Sequence, residues 1–132
     1  MPTESRPRTE RAAEASRENA VRPRIRVLHG SAIALGPGKA ELLAEIERDG
    51  TLAGAARRLG MSYSRAWHLL QTMNACFREP LVATARGGNG RGQASLTATG
   101  RAALDLYRRM ERDSLAALTP AWRELAELLA EG

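Results

Sequence analysis

Aromatic residues are scarce in this sequence: one Phe, two Trp and two Tyr among 132 residues, or 4%. A core of that composition must rest on Leu, Ala, Ile and Val, which suits short packed helices better than a β-sandwich. Cysteine is scarcer still. Cys76 alone excludes an intramolecular disulfide and a thiolate metal cluster, and beside Phe77 it reads as a small buried packing residue. The two histidines, His29 and His68, lie far apart with no cysteine or carboxylate pattern around them, so no metal site is expected. No apolar run approaches the roughly 20 residues that a bilayer span requires, and the polar first residues do not form a cleavable signal, so the chain reads as cytoplasmic. A nucleophile elbow and a His–carboxylate set at ligand spacing are also missing, so neither an enzyme activity nor a cofactor is expected.

What the sequence does have is positive charge, unevenly spread. The formal net charge is +5. Between Arg57 and Arg101 seven arginines face a single glutamate, whereas from Glu111 onward two arginines face five carboxylates. A basic middle beside an acidic tail points to a polyanion-binding face. Charge alone is equally compatible with an ordinary solvated surface.

Residues 1–22 combine Glu, Arg, Ser, Thr, Ala and Pro with almost no large apolar side chain, and read as a disordered arm, a solubilising tail in the first reading and a set of arginines able to touch DNA phosphates in the second. Ile25, Val27, Ile33 and Leu35 mark a short strand or extended lead-in, which Gly36-Pro37-Gly38 breaks. Leu42, Leu43 and Ile46 recur at helical spacing in a first helix from Lys39 to Arg48. Gly50 is placed as its left-handed cap, and Thr51 as the N-cap of a second helix that buries Leu52, Ala55, Ala56 and Leu59, shows Arg57 and Arg58 outside and ends at Gly60. Ser62 caps a third helix, residues 62–77, whose apolar stripe is Ala66, Leu69, Leu70, Met73 and Phe77, and Pro80 forbids its continuation. Leu81–Ala85 and Ala94–Leu96 read as the strands of a hairpin with a glycine-rich tip at residues 86–93. Thr97 and Thr99 are alternative caps for a fourth helix carrying Ala103, Leu104, Tyr107, Met110, Leu115 and Leu118. Thr119-Pro120 is expected to interrupt it, leaving residues 119–132 as a separate C-terminal amphipathic helix built on Trp122, Leu125, Leu128 and Leu129.

Strand, three helices, hairpin and helix in that order describe a mainly α fold with a small β-hairpin, a winged helix-turn-helix over residues 23–118. Close crossing of the second and third helices requires the small Ala56. Once the third helix buries Ala66, Leu69, Leu70 and Met73, its geometry turns Ser64, Arg65, His68, Gln71 and Thr72 outward together, a face suited to a major groove. Arg65 can pair with a guanine edge or hold a phosphate, Gln71 can read adenine, and Ser62, Tyr63 and Ser64 near the helix start suit phosphate or base contacts. Thr51, at the head of the second helix, joins this candidate set. Arg86 and Arg91 flank the hairpin tip, whose glycines let backbone approach a phosphate strand closely. That glycine run lacks the Lys-Ser/Thr of a nucleotide-phosphate loop. Trp67, adjacent to Ala66, reads as a packing residue rather than a base stacker.

The segments Gly50-Thr51-Leu52-Ala53-Gly54-Ala55-Ala56, Met61-Ser62-Tyr63-Ser64-Arg65-Ala66-Trp67 and Met73-Asn74, with the wing from Gly87-Gly88 to Leu96-Thr97, closely resemble the N-terminal domain of ModE-type molybdate-responsive transcription regulators. LysR-type regulators share the winged-helix plan but less of this wording. The resemblance covers residues 24–118. It implies a transcription factor that binds double-stranded DNA as a homodimer on a partly palindromic site, with dimer contacts from terminal helices such as residues 119–132. ModE-type proteins carry molybdate-binding domains after the DNA-binding one. This sequence stops at Gly132, so molybdate binding is not expected from this chain alone.

The apolar stripes of the first helix and of residues 115–129 exceed what one small domain readily buries, which agrees with a shared interface. The competing reading is a protein-interaction module on a winged-helix scaffold that has lost sequence-specific DNA readout.

Overall fold

The computed structural model of the chain describes residues 19–86 and 92–131. Within the compact unit Arg24–Asp113 the chain opens with a β-hairpin, β1 (Val27–His29) and β2 (Ala32–Leu35), antiparallel with an irregularity between Val27 and Leu28. The sequence pattern suggested one extended lead-in here. Gly30 makes the difference: at φ 61 it takes the left-handed backbone that the first central position of a two-residue turn demands, and the strand folds back on itself.

Three helices follow: α1 (Pro37–Asp49), α2 (Leu52–Arg58) and α3 (Tyr63–Cys76). Each boundary has a local cause. Pro37 opens α1, and Gly50 closes it at φ 85 with its N–H donating to the Ile46 carbonyl. Thr51 Oγ1 accepts from the Gly54 N–H at 3.0 Å to start α2, and Ser62 Oγ accepts from the Arg65 N–H at 3.1 Å to start α3. Between them Gly60, at φ 68, makes the turn. α3 ends at Cys76, short of Pro80, because Phe77 leaves helical geometry for an extended one.

The wing is an antiparallel pair, β3 (Val82–Arg86) and β4 (Gly92–Leu96), in register from Val82↔Leu96 to Arg86↔Gly92. It feeds α4 (Ala98–Ala126). Thr97, not Thr99, supplies the cap, accepting from the Gly100 N–H at 2.9 Å.

The core is aliphatic. Leu42, Leu43 and Ile46 of α1, Ala55 and Ala56 of α2, and Ala66, Leu70 and Met73 of α3 close around Leu81, Val82, Ala94 and Leu96 from the wing and Leu104 and Tyr107 from α4. Full burial of each Leu or Ile contributes roughly 1.5–3 kcal/mol. The stripe of α1 is consumed in this core, its three large residues having no exposed surface, so the expected excess of apolar surface on the first helix is not found. Ala56, 2% exposed, sits where α2 and α3 cross. Tyr107 joins the first segment of the unit to α4 by donating its hydroxyl to the Ile25 carbonyl at 2.7 Å, and its burial raises the phenol above the ordinary range.

Helix α4 also corrects the expected break at Thr119-Pro120. It continues to Ala126, with Pro120 inside it. A proline removes one i→i−4 rung, but the neighbouring rungs persist, and the Thr119 hydroxyl bonds the Leu115 carbonyl at 2.5 Å. Residues 114–131 belong to a second unit. In it Leu115, Leu125, Leu128 and Leu129 are exposed.

Candidate nucleic-acid interface

One stripe of α3 is pinned by burial: Ala66, Leu70 and Met73 are at most 1% exposed. Helical spacing then fixes what faces solvent. Ser62, Tyr63, Ser64, Arg65, His68 and Gln71 are all exposed. Thr72 is half-buried at the edge of this face, and its hydroxyl is turned back onto the His68 carbonyl at 2.9 Å. Trp67 corrects the sequence reading. It lies 40% exposed on the outer surface, because one residue past Ala66 rotates a side chain about 100° off the buried stripe.

Thr51 is held differently. Its Oγ1 donates to Asp49 Oδ2 at 2.5 Å while accepting from Gly54, and its N–H donates to the same carboxylate at 3.2 Å. The hydroxyl is therefore committed to the junction between α1 and α2. The Thr51 bond, followed by the backbone bond and Arg58 and opposed by desolvation, holds the Asp49 carboxyl below its ordinary range.

The wing is rooted at three places. Asn74, on α3, spends its whole amide on the head of β3: Nδ2 donates to the Val82 carbonyl at 3.1 Å, and Oδ1 accepts from Leu81 and Val82 N–H at 2.9 and 3.2 Å. Thr97 donates its N–H to the Leu81 carbonyl at 2.9 Å and its hydroxyl to the Pro80 carbonyl at 2.6 Å. On the other strand the Ala94 N–H donates to the Gly50 carbonyl at 2.9 Å, and Thr51 bridges Gln93. Gly100 permits the second contact, since a Cβ there would sit 2.0 Å from the Leu81 carbonyl oxygen. Arg86 ends β3; its side chain and Arg91 lie outside the described residues.

Arginines near this surface divide into two groups. Arg58 is paired with Asp49 and Glu45 at 3.6 and 3.9 Å, and Arg101 with Glu47 at 2.9 Å. Arg57 and Arg65 have no carboxylate partner among the described residues, and both are exposed.

Residues 38–101, from α1 to the first turn of α4, match the family described as bacterial regulatory helix-turn-helix protein, lysR family. The molybdenum-pterin-binding protein MopA of Rhodobacter capsulatus is 46% identical over 68 residues, covering 52% of this chain and 26% of that protein. Over this region the chain is similar to lysR-type helix-turn-helix proteins and to ModE-type relatives, on a winged helix-turn-helix fold. The molybdenum transport protein ModE of Azotobacter vinelandii is 37% identical over 95 residues, covering 72% of this chain and 35% of that protein. The chain thus spans about a quarter to a third of the length of these relatives. Among solved structures, the S. aureus MepR chain of a MepR–DNA complex superposes with a TM-score of 0.42 at 19% identity, covering 69% of this chain and 78% of that one. In this region the sequence pattern misplaced the exposed Trp67 as a packing residue and did not show the role of Asn74. The first was legible from its angular offset, while the second needed the fold, because its partners are seven and eight residues away.

Proposed function

We propose that the protein is a sequence-specific DNA-binding transcriptional regulator acting as a homodimer, with α3 in the major groove and residues 86–93 on the adjacent backbone or groove. The observation that carries this reading is the outer face of α3. Ser64, Arg65, His68 and Gln71 stand exposed side by side on a helix whose opposite stripe is locked in the core. A rigid helix carrying donors and acceptors matches the pattern of base edges in a major groove. Arg65, without a carboxylate partner among the described residues, keeps its guanidinium for a guanine or a phosphate. Similarity to regulators named for transcription supports the same reading. The exposed leucines of residues 115–129 support a second copy as the partner of that segment.

Selection of bound fragments from random duplexes, followed by titration of the enriched sequence against a scramble at fixed salt, tests the proposal. A palindromic motif bound about a thousandfold tighter than the scramble is expected, with Arg65→Ala weakening it by about 1–3 kcal/mol. Absence of any enriched motif sinks sequence readout and favours the interaction-module alternative. A strictly monomeric species in sedimentation at micromolar concentration sinks the dimer.

A further inference from the structure

We propose that the cleft between α2, the start of α3 and the first residue of β4, Gly92, holds one phosphodiester of the bound duplex, gripped by Arg57 and Tyr63. The inference rests on the DNA-binding reading above and adds a site to it. The cleft is open and about 510 Å³, and its walls include Asp49, Thr51, Gly54, Arg57, Tyr63 and Gly92. It therefore lies beside the exposed face of α3, where a backbone strand flanking the groove must pass.

Two adjacent arginines on α2 have opposite fates. Arg58 is held by Asp49 and Glu45. Arg57, one residue earlier, points into the cleft's lining with no carboxylate within ion-pair reach among the described residues. A guanidinium without a carboxylate partner and an exposed tyrosine that line the same cleft offer a planar fork and a neutral donor to a single anionic group. The one anion in the wall, Asp49, is already answered by the Thr51 N–H, the Thr51 hydroxyl and Arg58, so its repulsion of a phosphate is blunted while Arg57 keeps its charge. Gly92 removes side-chain bulk on the wing side: a Cβ built there meets only the Ala85 carbonyl oxygen, at 3.8 Å. A free phosphate has the same chemistry as a backbone one. The position of the cleft, contiguous with the groove-reading helix, selects the backbone.

The test measures DNA affinity against salt for the intact chain. Each neutralised phosphate contributes a slope of about 0.9 in log affinity against log salt. Arg57→Ala, and Arg57→Gln as a second variant, should lower that slope by about one phosphate and weaken the selected and scrambled duplexes by the same factor. Arg57→Lys should keep the slope. Tyr63→Phe should weaken both duplexes severalfold without changing it. Arg48→Ala, at an arginine partnered with Glu45 on α1, should leave both unchanged. An unaltered slope in Arg57→Ala overturns the proposal, as does a loss confined to the selected duplex, which would make Arg57 a base reader. Inorganic phosphate that binds the wild type but not Arg57→Ala, without weakening DNA binding at fixed ionic strength, would also overturn it, in favour of a free-phosphate site. Wild-type protein that binds no duplex at all overturns the regulator reading and this site with it.

Discussion

Replacing Asn74 by alanine removes three hydrogen bonds with one substitution and leaves the apolar packing around it almost intact. Two of the three end on backbone N–H groups, of Leu81 and Val82, and the third on the Val82 carbonyl. Leu81 has no exposed surface and Val82 only 2%, so these groups cannot simply turn to water. A buried donor left without a partner costs about 1–3 kcal/mol. Two such donors, with partial relief from water entering the truncated site, place the loss near 3 kcal/mol. For a urea m-value of about 1.5 kcal/mol/M, the midpoint falls by about 2 M with the slope unchanged. Urea unfolding followed by circular dichroism measures this directly. Amide exchange adds a local reading: the Leu81 and Val82 N–H groups should lose protection beyond the global change, because their acceptor is gone. A loss below about 0.5 kcal/mol, or protection of those two amides that falls only in step with the rest, would refute the argument that Asn74 roots the wing on α3.

Gly100→Ala should destabilise the domain by more than about 2 kcal/mol, since the new Cβ meets backbone 2.0 Å away that no rotamer change can relieve. Gly38→Ala, inside α1 with nothing within 4 Å of the added carbon, should instead stabilise by up to about 1 kcal/mol; thermal melts of the pair separate packing from helix propensity. Asp49 has a depressed carboxyl in the folded state, so its contribution is present above the ordinary carboxylate pKa and is lost as pH falls through the lower folded value. Asp49→Asn should accordingly be less stable than wild type near pH 7, and the gap should close in acid as pH falls through the depressed folded value; a gap that persists there would show that the Thr51 contact does not depend on the charge.

The helical part of the fold was legible because its signals are local. Gly50, Thr51 and Ser62 announce their caps within three or four residues, and the stripes of α1 and α3 have unambiguous period. The first hairpin was less legible, since its strands are three and four residues long and a run that short has no measurable alternation. Pro120 misled for a different reason: a proline prohibits one hydrogen bond, and the pattern says nothing of whether the flanking turns will carry the helix past it. Of the candidate site, the outward face of α3 followed from its buried stripe. The distinction between Arg57 and Arg58 did not, because it depends on Asp49 and Glu45, carboxylates on another helix. Thr51 was nominated as a surface contact, whereas its hydroxyl is occupied at a helix junction.

The bond from the Ala94 N–H to the Gly50 carbonyl, together with the Asn74 contacts on the opposite strand, makes the root of the wing and the start of the helix-turn-helix parts of one rigid ruler. For a duplex bound as proposed, the span between the contact on α3 and the root of the wing is then set in the free protein by these bonds. Altering a base pair beneath either contact costs only that contact. Inserting one base pair between them shifts the two by about 3.4 Å along the axis and rotates one past the other, so both cannot be satisfied at once. Spacing within the bound site should consequently be stricter than the identity of any single base in it.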